Sequence, residues 1–313
     1  MTNPSQPQRF RLKDLPSLLK ETFKEWNDDD PWRLSAIIAY YAIISLPALL
    51  VIIINTVGAV WGEEIVQGKL TNEISSALGN DAAQSIQAMI DSTQAGNKST
   101  ISTIIGIATL IFGATGIFYH LQISLNAIWD IKVKPKSNIL KLVIDRARSF
   151  GFVLVIGFLL LISFFITTII SVLTNYLSVV FGDTLIYISF LTDILLSVGV
   201  ISVLFALMFK YLPDAKIQWR TVWIGAIITA ALFVLGKFLL GLYLGKANPG
   251  STYGAAGSVI LILLWVSYSS LILFFGAEFT FVYSKRYGIG IRPKANAVRI
   301  ETKEIVVEEG VDD

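Results

Sequence analysis

The sequence predicts an all-α protein that crosses a membrane six times, and three observations carry that prediction. Hydrophobic residues make up 54% of the 313 residues and charged residues only 15%, whereas soluble domains carry about a quarter charged residues. Several apolar runs reach the roughly 20 residues that a helix needs to cross a bilayer. Basic residues are also distributed unevenly between the loops, which is the pattern that orients membrane helices.

Composition limits the chemistry that this chain can perform. It contains no cysteine and a single histidine, His120, so disulfides and thiolate metal sites are excluded and a histidine-based metal centre lacks its ligands. We therefore expect no cofactor and no metal. The first 33 residues are polar and lack a short apolar segment followed by a cleavage site, which predicts that the first span acts as its own insertion signal.

The N-terminal segment, residues 1–33, is expected to be cytoplasmic and to form a short amphipathic helix. Apolar residues recur at helical spacing from Leu15 to Trp26. This pattern is typical of a helix lying on a membrane surface, although an ordinary solvated helix has the same pattern. Span one follows at about 34–61, and Pro47 in its middle is expected to kink it because proline removes a backbone donor.

The segment between the first two spans, residues 62–99, is polar and carries amphipathic pieces. It predicts a small helical cap on the extracytoplasmic side of the membrane. The tail, residues 285–313, has no apolar periodicity, and we expect it to be cytoplasmic and disordered beyond about residue 294. The membrane domain, residues 34–284, contains five further spans at about 100–121, 149–181, 185–209, 221–245 and 257–284.

The basic residues give these spans a direction. Of the 25 lysines and arginines, 21 fall in the N-terminal segment, the loops 131–148 and 210–220, and the tail, which all lie on one side in the six-span arrangement. Lys69, Lys98 and Lys246 fall on the opposite side. Because the side richer in lysine and arginine stays in the cytoplasm, both termini are predicted to be cytoplasmic.

Four stretches of the chain are distinctive in composition and order. They are AIIAYYAIISLPALL at 36–50, FGATGIFYHLQISLNAIW at 112–129, the segment 211–244 that begins YLPDAKIQW, and YGAAGSVILILLWVSYSSLILFFGAEF at 253–279. In order and spacing they resemble the YihY/BrkB family, bacterial inner-membrane proteins formerly labelled ribonuclease BN. The resemblance implies a six-span α-helical protein of the inner membrane, linked to envelope integrity, serum resistance or export of lipid precursors. It does not define a molecular activity.

Polar residues inside the predicted spans are the candidate functional residues, because ionisable groups are costly at membrane depth and usually face protein or water. Two charges stand out, Lys237 in span five and Glu278 in span six. A rise of about 1.5 Å per residue places them near opposite membrane surfaces, so they are not expected to touch. We group the candidates into an outer station of Asp193, Lys237 and Asn55, and an inner station of Glu278, Gln122, Tyr40, Tyr41 and His120.

Two interpretations of these stations remain open at this point. Either they line a polar route across the membrane, with Asp193 and Lys237 paired, or they satisfy one another and hold the helices in register. For His120 an interfacial, structural role is the more common situation. Small residues and the proline are interpreted as packing and kink positions, namely Pro47, Gly113, Gly116, Gly241, Gly245, Gly254 and Gly257.

The same residues argue against an enzyme. Phosphodiester hydrolysis usually needs clustered metal ligands or paired acid–base groups, and the basic loops are explained by topology and anionic lipids without nucleic acid. The favoured function is a transporter or flippase of a lipid-like or amphipathic envelope molecule. The alternatives are a structural or assembly factor of the envelope and, disfavoured, a ribonuclease. Membrane lipids and an amphipathic substrate are the expected partners, homo-oligomerisation is left open, and no nucleic acid is expected.

Overall fold

A computed structural model describes residues 10–78, 80–94, 116–134, 151, 184–247, 257–288 and 290–301 of the chain. This part is predominantly helical, which confirms the predicted all-α class. A 3-10 turn at Leu12–Asp14 precedes the first helix. The helices are α1 (Leu15–Asp28), α2 (Pro31–Trp61), α3 (Glu63–Leu78), α4 (Asn80–Gln94), α5 (116–128), α6 (Thr184–Tyr211), α7 (Trp219–Ala247) and α8 (Gly257–Tyr287).

Two helices in the described part are long and apolar enough to cross a membrane, over Trp219–Tyr243 in α7 and Val259–Tyr287 in α8. A shorter apolar stretch occupies Leu195–Tyr211 within α6. Predicted spans one, four, five and six correspond to α2, α6, α7 and α8. Helix α2 continues through Pro47 as one uninterrupted helix. Most of predicted spans two and three lies outside the described residues.

Helices α7 and α8 cross in close contact at a reciprocal pair of glycines and threonines. A side chain at Gly225 would overlap the Thr280 hydroxyl, and a side chain at Gly276 would overlap the Thr229 hydroxyl. Each threonine donates its hydroxyl hydrogen to the glycine carbonyl one turn earlier on its own helix, in both cases at 2.7 Å. The hydroxyls are thereby satisfied within each helix, and the glycines allow the close approach that fixes α8 against α7.

Helix α1 packs against the last turns of α8. Near the C-terminal end of α8, Arg286 donates a hydrogen bond to Ser17 Oγ of α1 at 3.1 Å. Leu19 and Phe23 of α1 are exposed and do not take part in this contact. The amphipathic pattern of α1 therefore reflects packing on α8. From the sequence we considered only a membrane-surface helix or a solvated helix. The buried α1 residue Leu18 lies in a cluster with three α8 residues, Phe279, Val282 and Tyr283.

Helices α3 and α4 confirm the helical prediction for residues 63–78 and 80–94. Ile86 and Ile90 of α4 are buried against Leu50 and Ile54 of α2, with Ile262 at the start of α8. Helices α3 and α4 therefore cover the N-terminal end of α8, which is the end that lies away from α1. Their position outside the membrane stays a prediction.

The tail contains short strands that the sequence did not predict. Strand β1 (Ile131–Val133) pairs antiparallel with β4 (Ala297–Arg299), and β2 (Ala215–Lys216) pairs antiparallel with β3 (Arg292–Pro293). The expectation of disorder beyond about residue 294 is therefore wrong for residues 294–301, because backbone groups of the loops after α5 and α6 pair with the tail. Residues 302–313 lie outside the described part.

Candidate functional site

Glu278 lies on α8, two residues after the glycine that contacts α7. Its side chain is 1% exposed, and its Oε2 atom has no hydrogen-bond partner. The carbonyl oxygen of the preceding residue, Ala277, accepts a hydrogen bond from Trp129 Nε1 at 3.0 Å, so the end of α5 closes one side of the site. No ion pair within the described residues includes Glu278. An unpaired carboxylate oxygen in the interior is costly because water cannot solvate it.

A second carboxyl group, that of Asp29, is held against Glu278 by the junction between α1 and α2. Helix α1 ends at Asp28, Asp30 has left-handed backbone geometry with φ of 52°, and Pro31 begins α2. The two carboxyl groups lie within reach of each other. Two negative charges at such a short separation repel, so this arrangement disfavours ionising both acids.

The surroundings of Asp29 make it a titrating group near neutral pH. Burial raises the pKa of Asp29 from 3.8 to about 6. The Glu278 side chain lowers this pKa in part, while the charges of Asp130, Glu25 and Asp28 raise it. A carboxyl group surrounded by other acids is harder to ionise, because each new negative charge is repelled by its neighbours.

Two further polar atoms on the buried face of α1 lack partners, the Thr22 hydroxyl and the Trp26 indole nitrogen. Thr22 is fully buried, and Trp26 meets Phe275 of α8 edge-on, with ring centroids 6.0 Å apart. Thr22, Trp26 and Asp29 follow one another by about one helical turn, so they share one face of α1. That face meets α8 beside Phe275 and Glu278.

Asp130, directly after α5, adds an acidic group at the edge of this site. Burial raises the pKa of Asp130, and the nearby charges of Arg299 and Lys285 lower it. Arg299 Nη2 lies 3.9 Å from Asp130 Oδ2. Among the described side chains, no group of three or more His, Asp or Glu is arranged to hold a metal ion. The site around Glu278 is thus a group of acids, Asp29, Asp130 and Glu278, beside two unpartnered polar atoms of α1.

Gln122, predicted for the inner station, belongs to a different polar cluster centred on Asp214. Asp214 follows α6 and is 4% exposed. Its Oδ2 accepts hydrogen bonds from Gln122 Nε2 at 3.0 Å and Asn126 Nδ2 at 3.1 Å, and its Oδ1 accepts one from Asn296 Nδ2 at 2.8 Å. Its backbone nitrogen donates to Asn126 Oδ1 at 2.8 Å. This cluster ties α5, the α6–α7 loop and the tail together.

The predicted aromatic members of the inner station form a contact of their own. The rings of Tyr41 and His120 are stacked, with centroids 3.6 Å apart and planes 16° apart. Tyr40 packs edge-on against Tyr41 at 5.2 Å and is 60% exposed. These rings hold α2 against α5. The inner station therefore divides into the Glu278 pair, the Asp214 cluster and this aromatic stack.

The outer station does not assemble in the interior of the described part. Lys237 on α7 and Asn55 on α2 are both exposed. Asp193 lies within α6, but its side chain is outside the description, so its pairing with Lys237 stays a prediction.

The glycines that were predicted to pack against other helices differ in their surroundings. Gly116 and Gly257 are buried. Among the described residues, no atom lies within 4 Å of the place that a Gly241 side chain would occupy, so its packing role stays a prediction. Gly236 of the same helix is closely packed, because a side chain there would press onto Ile272 and Tyr268. The surroundings of Gly113, Gly245 and Gly254 lie outside the described part.

Sequence reasoning missed two of the carboxylates that matter most, Asp29 and Asp214. The run Asp28-Asp29-Asp30-Pro31 directly before span one signals a helix break with acidic groups at a membrane boundary. Asp214 lies in the stretch YLPDAKIQW, where a proline-aspartate pair ends a long apolar helix. Neither signal names the partner that each carboxylate contacts.

A family model described as virulence factor BrkB matches residues 22–301. The chain belongs to this family. The match begins within α1 and ends after β4, so it includes the Asp29–Glu278 pair and the Asp214 cluster. The resemblance to YihY/BrkB proteins is thereby confirmed, and the relatives below, together with α7 and α8, support an integral membrane protein.

The BrkB-family chain is similar to several proteins named UPF0761 membrane protein. One from Albidiferax ferrireducens is 28% identical over 198 residues, which cover 63% of this chain and 45% of the relative. One from Alcanivorax borkumensis is 23% identical and covers 88% and 62%, and one from Alteromonas mediterranea is 26% identical and covers 86% and 87%. The chain thus spans less than two thirds of the first two relatives. No solved structure matches it.

Proposed function

We propose that this BrkB-family protein transports or flips a lipid-like or amphipathic molecule of the bacterial envelope. One observation carries the proposal: Glu278 is buried in a membrane-length helix, has an unpartnered oxygen and faces a second carboxyl group. A scaffold has no need of such a group, because a neutral side chain of the same size would pack there at lower cost. A carrier uses a group of this kind to bind a proton or a cationic or hydroxylated headgroup.

Glu278 lies on a helix, α8, that packs tightly against α7 on one side and less completely against α1 on another. The glycine–threonine crossing fixes α8 against α7. The contact with α1, by contrast, contains polar atoms without partners. Transport requires such a boundary between a rigid element and one that moves.

The proposal includes six spans in the bacterial inner membrane with both termini in the cytoplasm. The 21-to-3 partition of basic residues supports this topology. Because the chain has no cysteine, a single engineered cysteine reports the side of the membrane on which that one residue lies. We expect Asp91→Cys on α4 to react with an impermeant thiol reagent in intact cells, and Lys132→Cys on β1 to react only after permeabilisation. The reverse pattern would exclude this topology.

A structural or assembly role in the envelope is the second candidate, and the Asp214 cluster favours it. That cluster satisfies its buried carboxylate with three side-chain amides, which is how a buried carboxylate stabilises a fold. We also propose that the protein is not an enzyme and has no nucleic-acid partner, with membrane lipids and the amphipathic substrate as its partners.

Glu278→Gln tests transport against scaffolding. The substitution keeps size and hydrogen bonding but removes the exchangeable proton, so we expect normal membrane abundance with loss of function. The measurement is rescue of detergent or serum sensitivity in a strain lacking the protein, with abundance determined on the same membranes. Glu64→Gln, on the exposed face of α3, is the matched control and should rescue fully. Full rescue by Glu278→Gln would favour the scaffold.

A further inference from the structure

The corner between α6 and α7 carries an exposed aromatic surface. Tyr211 ends α6 and Trp219 begins α7, and their rings meet edge-on with centroids 6.0 Å apart. Trp223 and Ile227 follow Trp219 at intervals of four residues, so the three side chains share one face of α7. All four of these side chains are exposed. Rings that face outward from the ends of two apolar helices are typical of a membrane–water interface.

Basic side chains lie beside this aromatic surface. Lys210 Nζ lies 5.3 Å from the centre of the Trp219 ring and donates a hydrogen bond to the carbonyl oxygen of Ile217 at 2.5 Å. Arg220, the second residue of α7, is exposed and forms no ion pair within the described residues. The lysine stem can thus pack on the ring while the ammonium group stays near water, so positive charge lines the edge of the apolar surface.

Two more bases face each other on the small sheet that lies between α6 and α7. Lys216 of β2 pairs with Arg292 of β3, and both side chains are exposed. Directly opposite residues on paired strands lie side by side on one face, and like charges in these positions lower the stability of the pair. Within the part of the chain that the structure describes, no ion pair includes Lys216 or Arg292. An anion bound between the two bases would offset this repulsion.

The Asp214 cluster holds the loop between α6 and α7 in place. Asp214 is the one acid among residues 210–220, and amides of α5 and the tail occupy both of its oxygens. The backbone nitrogen of Lys294 donates to the Asp214 carbonyl at 2.9 Å, and Lys294 Nζ donates to the Pro213 carbonyl at 2.7 Å. A loop held by so many contacts is preorganised, so a ligand on its surface binds with little cost of ordering.

We propose that this corner binds an anionic phospholipid of the cytoplasmic leaflet. Lys216 and Arg292 contact the headgroup phosphate, and an acyl chain lies along the stripe of Trp219, Trp223 and Ile227. A cluster of bases that adjoins an apolar stripe suits a ligand with a negative head and an apolar tail, whereas a free anion would use the bases alone. The site rests on the proposed function for the cytoplasmic position of the loop and for lipids as partners, but it does not require transport.

Thermal unfolding of the purified full chain in a neutral detergent measures this binding. We expect phosphatidylglycerol added to the micelles to raise the melting temperature in a saturable way, because a ligand that binds only the folded state stabilises it. Phosphatidylcholine at the same mole fraction, whose headgroup has no net charge, should raise it less. Inorganic phosphate at the same concentration tests a free anion. An equal rise with phosphatidylcholine or with inorganic phosphate would overturn the anionic-lipid site.

Two double substitutions test whether the lipid binds at this corner. Lys216→Gln with Arg292→Gln removes the facing bases, and the phosphatidylglycerol concentration for half-maximal stabilisation should rise on the order of tenfold. Lys132→Gln with Lys134→Gln is the matched control, since it also removes two exposed bases, and Lys132 lies opposite Val298 instead of another base. Equal losses in the two variants, or no loss in the first, would overturn the assignment to this corner.

Single substitutions at Lys216 separate lipid binding from a structural role. Lys216→Arg keeps the charge and should respond to phosphatidylglycerol as the native chain does. Lys216→Gln should not lower the melting temperature in the absence of anionic lipid, because it relieves the repulsion from Arg292. A lower melting temperature of Lys216→Gln without lipid, combined with an unchanged response to phosphatidylglycerol, would make Lys216 a structural residue and overturn its role in binding.

The lipid site and the proposed transport can fail separately. If Glu278→Gln rescues the envelope phenotype while phosphatidylglycerol stabilises the native chain through Lys216 and Arg292, transport fails and the lipid site stands. If Glu278→Gln abolishes rescue while phosphatidylglycerol acts no more strongly than phosphatidylcholine, transport stands and the lipid site fails.

Discussion

Asp214 and Glu278 are both carboxylates with almost no exposed surface, and their surroundings are opposite. Asp214 accepts hydrogen bonds from three amide side chains, so both of its oxygens are occupied. Glu278 has one oxygen without a partner, and its carboxyl group meets another acid. The first environment satisfies the hydrogen-bonding capacity of a buried carboxylate, whereas the second leaves a buried polar atom unsatisfied.

This difference teaches what each region is built to do. The Asp214 cluster joins three segments that are distant in sequence, and both carboxylate oxygens already accept hydrogen bonds. Such a cluster suits a structural connection that does not change. The Asp29–Glu278 pair sits between a rigid helix crossing and a helix with unsatisfied contacts, which suits an element that changes state. Substitutions at the two regions should therefore differ in stability, in pH dependence and in function.

The largest effect on stability is expected at the Asp214 cluster. Asp214→Ala leaves the amide groups of Gln122, Asn126 and Asn296 without their acceptor, which should cost about 3–5 kcal/mol of unfolding free energy. Thermal unfolding in detergent and membrane abundance measure it. Asp91→Ala is the control, because Asp91 accepts one exposed hydrogen bond from Gln87, and its loss should cost under about 0.5 kcal/mol. Equal melting temperatures for the two variants would contradict a structural role for Asp214.

A smaller effect is expected at the helix crossing beside Glu278. Gly276→Ala forces a methyl group into Thr229 and should cost about 1–3 kcal/mol by overpacking. Gly241→Ala, on the same pair of helices but with open space around it, should change stability by less than about 0.5 kcal/mol. A melting temperature for Gly276→Ala that matches the Gly241→Ala value would mean that α7 and α8 are not held at this crossing.

The smallest effect is expected at Asp29, and it changes with pH. Because the pKa of Asp29 is raised from 3.8 to about 6 in the folded chain, its contribution to stability is present below pH 3.8 and is lost as pH rises through about 6. Asp29→Asn removes that loss and should be more stable than the native chain above pH 6 by about 1 kcal/mol, allowing for partial exposure.

Melting temperatures of the native chain and of Asp29→Asn, measured across the same pH range, check this expectation. The two curves should converge in acid, where Asp29 is protonated. Asp30→Asn is the matched control, since its ion pair with Arg33 is exposed and asparagine also accepts left-handed geometry. A constant offset between native and Asp29→Asn curves would show that Asp29 titrates normally.

Much of the architecture was predictable because it depends on local properties of the chain. Apolar runs such as 221–245 and 257–284 are long enough to specify membrane helices whatever they contact, and the structure places helices α7 and α8 there. The candidate site was predictable only in part. Glu278 is conspicuous as a charge in an apolar run, but the positions of Gln122 and His120 at a similar depth suggested a common station that the structure divides.

The sequence by itself determined the helical class, the membrane-length helices and which residues are costly to bury, since composition and periodicity follow from the residues alone. Only the tertiary structure decided that Asp29 faces Glu278, that Asn296 reaches Asp214 and that α1 covers α8. Helical periodicity defines which face of a helix is apolar, but not which surface covers it. The partner of a buried polar group is chosen by long-range packing, and for Glu278 that packing supplied a second acid instead of a cation.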